Sequence, residues 1–130
     1  MCRLVSIDTN FNTKIMVADI KAEYINNISQ KAGLCKNISH IYLFGSALKE
    51  ECKEASDIDI LVVSDIARSK LYKTKSFNLF LVDLHEKDNY YQQYDVICVH
   101  GMQELEKNRH RVMLYYDILM NGEELYRRKF

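Results

Sequence analysis

A chain of 130 residues is long enough to bury one core and too short for a second, so it reads as a single domain spanning residues 1–130. Apolar residues at 48%, charged residues at 28% and the absence of proline exclude a disordered or fibrous chain and fit a helix-rich globular one. Eighteen basic and eighteen acidic side chains cancel, so no overall positive field draws nucleic acid, and any such role would need a local patch.

In chain order, residues 1–12 carry no clear period and stay unassigned. Residues 13–32 place Val17, Ile20, Tyr24, Ile28 and Ala32 at steps of three and four, the stripe of an amphipathic helix, with Gly33 as its stop. A short β-rich run at 41–44 ends at Gly45 and Ser46. Good helix formers at 47–53 predict a short helix, followed by a loop. The run DIDILVV at 57–63 reads as a second strand, 69–87 mostly as a helix and YDVICV at 94–99 as a third strand. Met102, Leu105, Val112, Met113, Tyr116 and Leu119 line one side of a final helix over 102–120, closed by Asn121 and Gly122, and EELYRRKF is left as a tail. Strands alternating with helices predict an α/β or α+β layer fold, a small sheet covered by helices.

The four cysteines are scattered with no CxxC pair, and neither a secretory apolar segment nor an 18-residue apolar span is present. The expectation is a cytoplasmic protein with reduced thiols and no membrane association.

The chemistry is concentrated at residues 57–59. Strand residues two apart share a face, so Asp57, Asp59, Leu61 and Val63 lie on one side and Ile58, Ile60 and Val62 on the other. Their Cβ atoms, roughly 7 Å apart, let both carboxylates reach one cation or a pair of cations. Without a cation, such crowding raises a pKa and weakens the strand pairing. Oxygen ligands alone favour Mg²⁺ or Mn²⁺ over Zn²⁺, and Mg²⁺ commonly completes its shell with substrate phosphates.

An isolated Asp-x-Asp is more often a solvated strand entry. Two further features weigh against that reading here. Gly45 and Ser46 follow a predicted strand and precede a predicted helix, where backbone N–H groups and a hydroxyl could hold a phosphate. Asp95 opens the YDVICV strand, which could neighbour the first carboxylate pair. Other uses of paired aspartates fit poorly: the strand follows the motif instead of preceding it, as haloacid-dehalogenase-like phosphatases require. No EF-hand glycine or closing glutamate follows, and GSALKE lacks the Walker lysine.

Gly45-Ser46, ten intervening residues and Asp57-Ile58-Asp59 resemble the GSx10DxD signature of the nucleotidyltransferase superfamily typified by DNA polymerase beta and kanamycin nucleotidyltransferase. The chain looks most like the minimal nucleotidyltransferases of bacteria and archaea, through IYLFGSAL, SDIDILVV, YDVICV and the terminal GEELY. The resemblance implies a mixed sheet flanked by helices and a two-metal transfer of a nucleoside monophosphate, usually AMP from ATP, to an acceptor hydroxyl. It assigns Gly45 and Ser46 to the triphosphate, Asp57 and Asp59 to both Mg²⁺ ions, and Asp95 to the acceptor side of the metal site. It also implies a HEPN-domain protein as partner, in a toxin–antitoxin pair whose transferase modifies the toxin. Close relatives often carry an arginine soon after the Gly-Ser; here Ala47 and Leu48 stand there and the nearest cation is Lys49. Asp83 and Asp88 are the competitors of Asp95 for the third carboxylate.

Arg68, Lys70, Lys73 and Lys75 read as a solvated helix entry. His40, His85, His100 and His110 lack ligand spacing and read as surface or strand-end residues. The tyrosines, Tyr90, Tyr91, Tyr94, Tyr115 and Tyr116 among them, read as core or interface packing before adenine stacking. Cys98 is expected inside and Cys52 exposed. The competing function is a non-catalytic binding module that neutralises or scaffolds a partner by contact.

Overall fold

In the computed structural model, which describes residues 1–86 and 91–129, the β-branched run IDILVVS forms β4 (Ile58–Ser64) at the centre of the molecule. It pairs antiparallel with β3 (Ile38–Phe44) and parallel with β5 (Tyr94–His100), while β6 (Glu123–Arg127) joins the other edge of β3 antiparallel, giving the order β5-β4-β3-β6. A second, two-stranded sheet is the antiparallel hairpin of β1 (Leu4–Asp8) and β2 (Lys14–Ala18). The helices are α1 (Ala22–Ala32), α2 (Arg68–Leu71), α3 (Lys75–Glu86), α4 (Gly101–Lys107) and α5 (Met113–Asn121). This is the small sheet covered by helices that the alternation of elements predicts, and it is mixed, as the resemblance implies.

The four-stranded sheet is buried on both faces. Ile58, Ile60 and Val62 point into a core shared with Ile25 and Ile28 of α1, Phe77 and Phe80 of α3, and Ile15 and Val17 of the hairpin. Leu61, Val63 and Val99 point the other way, against Leu105 of α4 and Ile118 of α5. Fully burying each such side chain contributes about 1.5–3 kcal/mol, and β4 supplies both cores, so it is the element the rest of the fold is built on. Among the described residues no helix is long and apolar enough to cross a membrane.

Several elements depart from the sequence reading. Residues 14–18 are a strand: exposed Lys14 and Met16 alternate with buried Ile15 and Val17, a period of two that a helical stripe starting at Val17 conceals. The helix starts only at Ala22. The unassigned N-terminal residues supply its antiparallel partner, Leu4 facing Ala18 and Asp8 facing Lys14. The short helix predicted at 47–53 is a single 3-10 turn, Gly45–Leu48. The helix predicted over 69–87 breaks in two, and residue 87 lies outside the described residues. At the break Thr74 Oγ1 donates to the Leu71 carbonyl at 2.8 Å, competing with helix continuation.

The final helix also divides, into α4 and α5, with Asn108 Nδ2 donating back to the Glu104 carbonyl at 2.8 Å. Its expected apolar stripe is only partly buried. Leu105 is enclosed, but Met113 is 88% exposed and Tyr116 and Val112 also meet solvent. The tail EELYR is strand β6, paired along β3. All four cysteines are free thiols, and Cys98 is buried as expected. Cys52 is buried too, against expectation, because the N-terminal segment folds over it: Cys2 Sγ donates to the Cys52 carbonyl at 2.7 Å.

Candidate active site

The sheet register lines up the predicted residues. In the parallel pair Asp59 lies opposite Asp95, and in the antiparallel pair Asp59 lies opposite Phe44, the residue before Gly45. Paired residues of neighbouring strands share a face. Asp59 and Asp95 therefore stand side by side on the α4–α5 face, the face of Leu61, Val63 and Val99. Asp57, two residues before Asp59 and just ahead of β4, continues that face at the sheet edge. Asp59 and Asp95 come from two adjacent strands and Asp57 from the residue just ahead of the first, all at one end of the sheet.

Gly45 closes the row. Its φ of 76° is left-handed, a conformation that costs other residues about 1–2 kcal/mol. A Cβ built there would overlap the Asp59 carboxylate. Glycine is thus required twice, by the turn and by the carboxylate pressed against its Cα. The sequence reading expected glycine to admit a phosphate; the structure adds that it admits Asp59. A turn of four residues lacks the aligned dipole of a helix, so phosphate contact here rests on individual N–H groups and the half-buried Ser46.

The carboxylates feel one another. Burial, then the charge of Asp95, then that of Asp57, push the Asp59 carboxyl above its usual range. Among the described residues no three potential ligands are drawn together as a metal cage. The donor set still fits a hard divalent cation: it is all oxygen, it is held on strands, and its central member bears charge at an energetic cost that a cation would remove.

Beside Gly45 opens a cavity of about 310 Å³ whose walls include Lys49, Asp117, Asn121 and the bare Gly122. Asn121 Nδ2 donates to Asp117 Oδ1 at 2.8 Å, fixing both polar groups on the last turns of α5. The sequence reading treated Asn121 and Gly122 only as a helix stop and passed over Asp117; the four-residue spacing of Asp117 and Asn121 was the available signal. A larger hollow of about 440 Å³ beside Cys2 and Cys52 carries Glu51, Lys53 and Glu54, a net acidic lining unsuited to phosphate.

Asp83, a competitor for the third carboxylate, sits on α3 and is drawn toward Lys31 of α1 at 4.0 Å, away from the row. Asp88 and Tyr90 lie outside the described residues. Arg68 is committed to Glu104 at 3.2 Å. His40 is no strand-end residue: it lies within β3 and bonds Glu124 across to β6 at 2.8 Å.

Residues 23–130 match the family described as polymerase beta, nucleotidyltransferase. The chain belongs to that family. A comparison with curated proteins gives no match. As a polymerase beta-type nucleotidyltransferase it has nucleotidyl transfer as its activity at the family level, and its mixed sheet agrees with that fold. The matched stretch takes in Gly45, Ser46 and all three aspartates; it leaves out the β1–β2 hairpin and the turn that ends at Lys21.

Proposed function

We propose that the chain is an Mg²⁺-dependent transferase that moves a nucleoside monophosphate, AMP from ATP, onto an acceptor hydroxyl. The observation that carries this reading is the register: Asp59 abreast of Asp95, with Gly45 against the Asp59 carboxylate. A bond forms between the acceptor oxygen and the α-phosphorus, the bond from that phosphorus to the β-phosphate bridge breaks, and pyrophosphate leaves. Asp57 and Asp59 hold two Mg²⁺ ions, with Asp95 completing the ligand set. Bound Mg²⁺ supplies neutralisation of the leaving phosphates and a lowered pKa for the attacking hydroxyl. Gly45 and Ser46 hold the triphosphate by backbone N–H groups and a hydroxyl, and the exposed Lys49, which lines the same cavity, is the nearest cation after them in the sequence. Asp95, on the outer strand of the row, would complete the site that binds the acceptor oxygen.

The acceptor in this reading is a HEPN-domain toxin that this chain modifies as an antitoxin in the cytoplasm, as the resemblance to minimal nucleotidyltransferases implies. Incubation with α-labelled ATP, Mg²⁺ and the product of the adjacent gene should transfer label to that product. An Asp57→Ala/Asp59→Ala double variant should transfer none; undiminished labelling would remove these carboxylates from catalysis. The second reading, neutralisation of a partner by contact alone, draws on the solvent-exposed Met113, Tyr116 and Met120 of α5. It predicts that the same double variant still suppresses toxicity while the wild type binds neither ATP nor Mg²⁺.

A further inference from the structure

Lys21, the last residue of the turn between β2 and α1, is 1% exposed, a burial that lysine tolerates only when its ammonium is fully bonded. Its three N–H groups are all used. Nζ donates to the Glu54 carbonyl at 2.9 Å, to the Ser56 carbonyl at 2.8 Å and to Gln92 Oε1 at 2.6 Å. Gln92 is itself buried, and its Nε2 donates to the same Ser56 carbonyl at 3.1 Å and to the Gln93 carbonyl at 2.7 Å. The Gln93 carbonyl also accepts the Ile58 N–H at 3.1 Å.

The placement of these bonds matters. Ser56 is the residue before Asp57, and Gln93 stands two residues before Asp95. The parallel ladder between β4 and β5 begins only at Ile58 and Tyr94, so the two strand entries lie beyond its reach. Beside the single backbone bond from the Ile58 N–H to the Gln93 carbonyl, the Lys21–Gln92 pair joins them, a cross-brace reaching from the turn after the hairpin. Burial lowers the tendency of Lys21 to keep its proton, and the charges of Cys52, Asp57 and Glu54 oppose that effect, so the ammonium also lies within electrostatic reach of the first aspartate.

We infer that Lys21, acting with Gln92, is the positioning residue of the three-aspartate site, holding Asp57, the member outside the ladder, against the paired Asp59 and Asp95 and thereby setting the affinity of the site for a divalent cation. The inference rests on the metal-dependent reading above. Gln92 lies within the stretch matched to the family, whereas Lys21 lies outside it.

The test uses Lys21→Met, which keeps length and apolar packing but removes all three bonds. Two quantities are read: Mn²⁺ affinity by electron paramagnetic resonance, and amide hydrogen exchange at Ile58 in metal-free protein, compared with Ile60 and Val62 deeper in the same strand. The expected result is at least a tenfold loss of Mn²⁺ affinity, with Ile58 exchange accelerated about tenfold or more while Ile60 and Val62 stay protected. A merely structural lysine would lower the melting temperature and raise exchange evenly along β4, leaving Mn²⁺ affinity of the folded protein unchanged, and that result would overturn the inference. If Lys21→Met does not fold, Gln92→Met, which spares the two carbonyl bonds of Lys21, is read by the same two measurements with the same deciding outcomes. Wild type that takes up Mn²⁺, an Asp57→Ala/Asp59→Ala variant that does not, and a Lys21→Met variant that binds like wild type would sink the brace alone. Wild type that takes up no Mn²⁺ would sink the metal-dependent reading, and the coupling to metal affinity with it, while the exchange comparison still decides whether the brace exists.

Discussion

At the scale of single residues, the proposed site costs the fold stability. Asp59 holds its proton more tightly in the folded chain than in the unfolded one, because of burial and then its neighbours Asp95 and Asp57. Between the ordinary value of 3.8 and the raised folded value, the folded chain binds more protons, so stability falls as pH rises through that window and the full cost is present at neutral pH. Asp59→Asn should therefore stabilise the metal-free protein at pH 7 by about 0.5–1 kcal/mol, the partly solvated carboxylate limiting the gain, while abolishing transfer. The gain should vanish below about pH 4, which thermal melts across pH will show. Gly45→Ala meets two penalties, a left-handed backbone and an overlap with the Asp59 carboxylate. It should cost about 1–2 kcal/mol of stability and reduce label transfer more than tenfold, checked by melts and single-turnover assays on the same preparation.

At the scale of elements, β3, β4 and β5 were legible and β1, β2 and β6 were not. β4 announces itself as a run of β-branched residues, and the period of two correctly separates its aspartate face from its isoleucine face. That Asp59, Asp95 and Gly45 meet at one end of the sheet was readable because residues two apart on a strand share a face and neighbouring strands align them. β2 and β6 were missed for a physical reason: each is five residues long, and each gains its strand conformation from a partner distant in sequence, or from a hairpin whose turn carries no strong signal. Asn12, at φ 65°, lies in that turn. The strand β6 is held by more than its ladder. Glu124 accepts from Arg127 at 2.7 Å and from His40 of β3 at 2.8 Å. Burial works to raise the Glu124 carboxyl, but the hydrogen bonds and charges of Arg127 and His40 together bring it below its ordinary value. Its contribution to stability is thus fully present above about pH 4.5 and is lost as pH falls through the lower folded value. Glu124→Gln should cost about 1 kcal/mol at neutral pH and flatten that part of the acid unfolding curve, as urea titrations at pH 7 and pH 3 will measure.

At the scale of the whole molecule, the sheet serves as a frame on which charges that repel one another are set in a row. The apolar residues of β4 pack on both faces, and the ends of β4, β5 and the turn after β3 carry the proposed site. Ligands that neutralise the row should stabilise the entire fold by mass action, about 2.7 kcal/mol at a concentration a hundredfold above Kd. The acceptor could not be read from the sequence, because nothing in the residues around the row is specific for a protein, a nucleic acid or a small molecule. The most direct measurement of the central claim is a calorimetric titration of Mg²⁺ with a non-hydrolysable ATP analogue into the wild type and into Asp57→Ala/Asp59→Ala. Saturable, Mg²⁺-dependent nucleotide binding in the wild type that disappears in the double variant is the predicted result. Binding of equal affinity in both, or in neither, would contradict the account.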